Sequence, residues 1–224
     1  VCGYALRPPT NPSLFVLCGA GRGIRSAVGD VRDLAALEST VREFSPDVAI
    51  HMAARSLVRE GYSDPVGTYS TNVMGTVHFL QALRGCETVG SIVNVTTDKV
   101  YKNPERGAAL REESVLDGND PYSNSKSCSE LVTGAYVRAF FAEKGVPVST
   151  CRAGNAIGGG DFSPDRILPD CVRAAAAGEA IRVRNPHSVR PYQHVLEPTF
   201  AYLTIAMRQH AQPDLAGCYN IGPK

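Results

Sequence analysis

Tyr122 and Lys126 stand four residues apart in the stretch Asp120-Pro121-Tyr122-Ser123-Asn124-Ser125-Lys126. On a helix that spacing puts both side chains on one face. A neighbouring ammonium favours the phenolate and lowers a tyrosine pKa from its unperturbed ~10. Tyr122 is thereby a candidate base for a sugar or alcohol hydroxyl near neutral pH. Two solvated residues in a first helical turn would show the same spacing, so the surroundings must decide. A second reactive group is Thr96-Thr97-Asp98-Lys99-Val100-Tyr101, where hydroxyl, carboxyl and amine follow an apolar run. A plain Asp98–Lys99 ion pair holding a turn is the simpler reading. Neighbours on an extended segment point to opposite faces, which weakens it.

These groups need elements to hold them. Asp120 is a good N-cap, and Pro121 suits the first helical position, where a backbone N–H has no partner anyway. Apolar or small residues recur at Cys128, Leu131, Val132, Ala135, Ala139 and Phe140 with a helical period, and Gly145 is the stop. Upstream, Asp33 caps a helix over 34–44, 48–52 is a short apolar strand, and Asp64-Pro65 opens a helix that runs to Gly85. The segments 91–95 and 147–151 read as strands. Helices are expected over 166–178 and 195–210, with a short strand at 181–184. Strands alternating with helices imply right-handed crossovers and a doubly wound parallel α/β sheet.

Composition narrows the classes. The chain has 224 residues, is 43% hydrophobic and 20% charged, and has a net charge of +1. That balance gives no electrostatic reason to expect nucleic acid or an anionic membrane as partner. No apolar run approaches the ~20 residues of a membrane helix, and the first nine residues lack signal-peptide features. Seven scattered cysteines without a C-x-x-C pair read as thiols of a reducing cytoplasm, not as disulfides or a metal site. The glycines of Gly19-Ala20-Gly21-Arg22-Gly23-Ile24 are no dinucleotide fingerprint, because residue 24 is Ile and no helix pattern follows. A surface loop is expected there.

In parallel sheets ligands bind beyond the carboxyl ends of the strands. After Val28-Gly29 comes Asp30, which could meet an adenine amino group or be a loop acid; Asp33 is preferred as a cap. After His51-Met52, the small Ala53 and Ala54, then Arg55, would let a cofactor lie against the backbone, or simply allow close packing. After Cys151 comes a glycine-rich loop, Arg152 to Asp161, that carries the amide Asn155.

Taken together, these placements resemble the extended short-chain dehydrogenases/reductases, and within them the nucleotide-sugar 4,6-dehydratases. Tyr122-x-x-x-Lys126 matches their catalytic pair. Residues 29–33, 51–54 and 71–76 match cofactor-side motifs, and Thr97-Asp98 matches the dehydratase hydroxyl and acid. The next position is Glu in the members acting on dTDP-glucose and GDP-mannose, whereas Lys99 follows the pattern of those acting on CDP-glucose. Residues 8–15, the Gly158-Gly159-Gly160-Asp161 loop, 184–187 and 190–198 follow it too.

The resemblance implies NAD as cofactor, held by Asp30, Val31, Ala53, Ala54, Arg55, Asn72, Tyr122 and Lys126, although no acid stands near Tyr4-Ala5-Leu6 to select it over NADP. It implies CDP-glucose as substrate, with Asn155 and Arg190 on the diphosphate, and a homo-oligomer. Tyr122, helped by Lys126, would deprotonate the sugar 4-hydroxyl while Thr97 bonds its oxygen. Lys99 would take the carbon-5 proton, and protonated Asp98 would release the 6-hydroxyl. The family's opening strand and glycine fingerprint are not found before Val1, nor its further substrate domain after Asn220-Ile221-Gly222-Pro223-Lys224, so an incomplete chain is expected. Its parts would be a partial NAD-binding region at 1–157 and a partial, interleaved substrate region at 158–224. An epimerase of the same superfamily and a catalytically silent dinucleotide-binding chain are the rival readings. Epimerisation needs no acid for a leaving hydroxyl, so Asp98-Lys99 argues against the first. The intact Thr97, Asp98, Tyr122 and Lys126 argue against the second.

Overall fold

The computed structural model describes residues 1–103 and 109–223; Lys224, the end of the expected 158–224 region, lies outside the described residues. In chain order the strands are β1 (Cys2–Ala5), β2 (Arg25–Val28), β3 (Val48–His51), β4 (Ser91–Val95), β5 (Val148–Ala153), β6 (Asn155–Ile157), β7 (Tyr192–His194) and β8 (Cys218–Ile221). The helices are α1 (Leu14–Leu17), α2 (Leu34–Phe44), α3 (Val58–Ser63), α4 (Pro65–Tyr69), α5 (Gly75–Arg84), α6 (Pro121–Tyr136), α7 (Ile167–Ala177) and α8 (Leu196–Ala211). Among the described residues these strands all pair in parallel, and one isolated antiparallel bridge joins Tyr101 to Leu116. The central sheet has the order β3-β4-β5-β8, beside the separate pairs β1-β2 and β6-β7.

Alternation along β4 explains the layering. Ile92 packs with Leu80, Leu83, Phe141 and Val148 on the α5 side, while Val93 packs with Cys151, Tyr202 and Ala206 under α8. Burying side chains as completely as Leu80, Ile92 and Phe141 contributes about 1.5–3 kcal/mol each. The polar members of β4 bond outward as well, although the buried Asn94 Oδ1 has no hydrogen-bond partner among the described residues. Ser91 Oγ donates to the Ala206 carbonyl at 2.8 Å, and Asn94 Nδ2 donates to Ser129 and Thr133 of α6 at 3.0 and 2.8 Å.

Capping places the helices where expected. Asp33, Asp64 and Asp120 each accept a backbone N–H three residues on, and Pro65 and Pro121 occupy first-turn positions. The helix opened by Asp64 runs through a π-helical turn, Ser70–Met74, into α5 and ends at Gly85. After α6 a second π-helical turn, Val137–Phe141, leads to Gly145 at φ +66°. The glycine segment after Gly19 folds as one short 3-10 turn, Ala20–Arg22.

Several expectations need correction. The face of α6 that is buried is polar, with Tyr122, Ser123, Ser125, Lys126, Ser127, Ser129, Glu130 and Thr133, while Leu131 is 60% exposed. Short serines let α6 approach its neighbours closely and bond them, so apolar period misjudged which side faces inward. Residues 181–184 form no strand: their alternation finds no partner strand among the described residues, and Arg184 instead pairs with Asp165 at 2.7 Å. Asn155–Ile157, read as loop, is β6 and pairs with β7. Gly154 allows that approach, because a Cβ there would sit 2.8 Å from Pro191 Cγ. β8, within the expected 158–224 region, adds to the central sheet beside β5.

Candidate active site

The carboxyl end of β4 delivers Thr96 and Thr97 into a 3-10 turn over Asp98–Val100, whose N-cap is Thr97. α6 starts opposite it. Gly118 lets the chain turn tightly before that helix, since a Cβ there would lie 2.4 Å from the Ser123 carbonyl carbon. The first turn of α6 is then fixed by Asp120, which accepts from the Ser123 backbone and hydroxyl at 3.0 and 2.5 Å. Ser127 Oγ donates to the Val100 carbonyl at 2.7 Å, tying helix to turn.

Four of the five expected catalytic residues meet there. Thr97 Oγ1 donates to Asp98 Oδ1 at 3.1 Å, and both residues act on the buried Tyr122 phenol, Thr97 lowering its pKa and the Asp98 charge raising it. Lys126 Nζ donates to the Val95 carbonyl at 3.0 Å rather than to Tyr122. Lys99 is the neighbour of Asp98 in the turn.

Burial dominates the electrostatics. Desolvation raises the Tyr122 pKa above the ordinary tyrosine value, and Lys126 is not among the charges acting on it. The expectation that Lys126 holds this phenol below its usual range is therefore corrected: the ammonium is directed at the strand, and desolvation outweighs the nearby charges. Burial also lowers Lys126, to about 8, with Glu130 pulling it back up. Lys99 is lowered too, by burial first, with Asp98 opposing and Arg190 and Arg166 assisting.

Of the expected cofactor-side residues, Asp30 and Val31 follow β2, and Ala53, Ala54 and Arg55 follow β3. Asp30 is ion-paired with Arg32, at 2.5 Å, so its carboxylate is already engaged. The Val31 side chain is core, packed with Leu37 and Ala82. Asn72, fully buried in the π-helical turn, braces the loop after β3: its Oδ1 accepts from the Arg55 N–H at 2.8 Å, and its Nδ2 donates to the Arg55 carbonyl at 3.0 Å and to Ser125 at 2.9 Å. Ala53 packs against the same cluster as Val31, and Arg55 is ion-paired with Asp64.

A cavity of about 1460 Å³ adjoins the turn, and Lys99, Asn155 and Arg190 line it. Thr97, Tyr122 and Lys126 are not among its lining residues. The sequence reading missed Arg166, which lines this cavity, donates to Ser56 at 3.0 Å and keeps a buried Nε without a hydrogen-bond partner. Its position just before an apolar helical period was the available signal. Also missed was the buried ion pair of Glu130 and Arg152; the signal was Glu130, four residues beyond Lys126 on the same helix face.

Sheet, turn and helix together make a parallel α/β frame, and comparison with known proteins shows its family. The family model for GDP-mannose 4,6 dehydratase matches residues 20–219, and the chain belongs to that family. It is 44% identical to a CDP-glucose 4,6-dehydratase of Salmonella typhimurium, over 100% of this chain and 64% of that protein. It is 30% identical to a dTDP-glucose 4,6-dehydratase of Xanthomonas campestris pv. campestris, over 87% of this chain and 55% of the relative. The chain thus spans less than two thirds of either. Among solved structures, the dTDP-glucose 4,6-dehydratase DesIV of Streptomyces venezuelae, solved with NAD bound, superposes with a TM-score of 0.77 at 29% identity, covering 92% of this chain and 61% of that one. A UDP-glucuronic acid 4-epimerase of Bacillus cereus superposes with a TM-score of 0.82 at 18% identity, over 100% of this chain and 69% of its own. That likeness shows the fold alone, so the chemistry must be argued from the site.

Proposed function

We propose that the chain carries the reaction centre of an NAD-dependent nucleotide-sugar 4,6-dehydratase, and that its substrate is CDP-glucose, converted to CDP-4-keto-6-deoxyglucose. The observation that carries the reading is the gathering of Tyr122 with the bonded Thr97 and Asp98, with Lys99 next to them on the cavity. The 44% identity to a CDP-glucose 4,6-dehydratase supports the choice of sugar nucleotide.

The residues present suit the cofactor. Lys126 Nζ is buried with one acceptor, the Val95 carbonyl, among the described residues, and an ammonium has three donors, so capacity for ribose hydroxyls remains. Ala53, Ala54 and the braced Arg55 backbone, together with Tyr122, would line the rest; Asp30, Val31 and Asn72 serve by shaping the loops. When bound, NAD accepts the hydrogen of carbon 4 with its electron pair and returns it at carbon 6, so none is consumed.

The chain's own groups handle the protons. On substrate binding Tyr122 takes the proton of the 4-hydroxyl while its own moves by way of the Thr97 hydroxyl to Asp98, which Thr97 already bonds. That relay spares the buried phenol from standing as a phenolate, which its raised pKa disfavours. Asp98, now protonated, gives its proton to the 6-oxygen, which leaves as water. Lys99, whose pKa burial lowers, takes the carbon-5 proton in its neutral form and later returns it. The 4-hydroxyl proton has then left in the water, and the proton count closes. Arg190 and Asn155, with Arg166, face the diphosphate from the cavity wall; guanidinium and phosphate suit one another.

A competition assay tests the substrate. With NAD present, the protein carrying this chain should prefer CDP-glucose over dTDP-glucose, UDP-glucose and GDP-mannose in kcat/KM. A higher value for any of the other three would overturn the assignment. An epimerised product of unchanged mass would favour the epimerase reading.

A further inference from the structure

One buried charge pair has no part in the proton transfers above. The Arg152 and Glu130 side chains are 3% and 2% exposed. Desolvating two charges is costly, and the cost is offset only where their polar atoms are well met. Glu130 Oε1 accepts from Thr96 Oγ1 at 2.5 Å and from Arg152 Nε at 2.9 Å. Its Oε2 accepts from Thr150 Oγ1 at 2.7 Å and from Arg152 Nη2 at 2.9 Å. Arg152 Nη1 donates to the Tyr101 hydroxyl and to the Glu112 carbonyl, both at 2.8 Å. The Tyr101 hydroxyl donates onward to Asn220 Oδ1 at 2.6 Å.

The partners are placed tellingly. Thr96 immediately precedes Thr97, and Tyr101 immediately follows the Asp98–Val100 turn. The pair therefore grips both ends of the reactive turn, one through the carboxylate and the other through the guanidinium. Glu130 itself stands on α6, eight residues beyond Tyr122 and four beyond Lys126, on their face of the helix. Turn, helix and β5, which carries Arg152, are separate elements, and the ion pair joins them.

We infer that Glu130 and Arg152 are positioning residues that hold Thr97, Asp98 and Lys99 in register with Tyr122; the inference rests on the dehydratase reading. Stability alone is a poor reason for such a pair, because apolar side chains of similar size often serve as well. Register is a better one, since a misplacement of about 1 Å can cost about 10²-fold in rate.

The test replaces both charges at once, Glu130→Leu with Arg152→Met, so that no lone buried charge remains. We expect a folded protein melting close to the parent, and a KM for CDP-glucose within about threefold of it. Turnover should fall by about 10²-fold. Wash-out of deuterium from carbon 5 should slow more than formation of reduced cofactor, because elimination needs turn and helix together. A merely structural role would not shift that ratio. Thr96→Val and Tyr101→Phe each cut one grip while leaving the ion pair, and should shift the ratio the same way by less; they carry the test if the double variant does not fold. A folded double variant, or both single variants, with parental turnover and ratio would overturn the positioning role alone. A parent protein that converts no nucleotide sugar would overturn the dehydratase reading and the positioning role with it.

Discussion

Lys99 is where residue chemistry is sharpest. Elimination needs one proton off carbon 5 and another onto the 6-oxygen. Asp98 and Lys99 can share those tasks only if the acid is protonated and the amine neutral. Burial moves the lysine in the required direction, and the proposed relay from Tyr122 by way of Thr97, which donates to Asp98, would offer the acid its proton. Lys99→Met should then still form the 4-ketone and reduced cofactor but stall before water leaves. Substrate deuterated at carbon 5 would keep its label while reduced-cofactor absorbance accumulates. Wash-out at the parental rate would show that another group is the base. The placement of Thr97, Asp98 and Lys99 after β4, and of Tyr122 and Lys126 in the first turns of α6, was readable because strand ends and helix starts carry local signals. The electrostatic state of Tyr122 was not readable. A pKa raised by burial depends on everything packed around the ring, and spacing along the helix says nothing of that.

At the scale of elements, the docking of α6 against β4 carries a cost that pH should reveal. Lys126 is buried between them with its ammonium on the Val95 carbonyl, and its pKa falls from 10.5 to about 8. Below about 8 it is charged in both folded and unfolded chains, and the penalty of burying it is fully present. Between about 8 and 10.5 the folded chain releases the proton while the unfolded chain keeps it, so stability rises with pH. The displacement corresponds to about 3 kcal/mol, and losing the bond to Val95 takes back about 1 kcal/mol. Lys126→Met should therefore gain about 2 kcal/mol of folding stability at neutral pH, a gain that shrinks as pH rises through that window. Urea unfolding of both proteins at a series of pH values checks this, and a pH-independent difference would contradict it. Helix limits such as Leu34–Phe44 were legible because caps and stops are local chemistry. The pairing of β6 with β7 was not, because Gly154 and Pro191 make their contact across some forty residues of chain. Nor was the absence of a strand at 181–184, where alternation stands without a neighbouring strand to bond.

For the whole molecule, the candidate site is assembled from separate elements. β4 supplies the turn, α6 the tyrosine, and Asn155 and Arg190 reach the cavity from beside the β6-β7 pair. A parallel sheet of short strands brings such pieces to one edge, which is why dehydratases and epimerases can share it. The separation of the β1-β2 pair from the central sheet could not be read from alternating elements, since periodicity reports element type and not which edges meet. No helix among the described residues is long and apolar enough to cross a membrane.

Internal transfer from carbon 4 to carbon 6 is what separates a 4,6-dehydratase from every rival on this fold. The protein carrying this chain should be incubated with NAD and CDP-glucose deuterated at carbon 4, and the product examined by mass and by position of label. The expected product has lost one water and carries the deuterium on carbon 6. A product of unchanged mass, or one in which the label remains on carbon 4, would contradict the assignment.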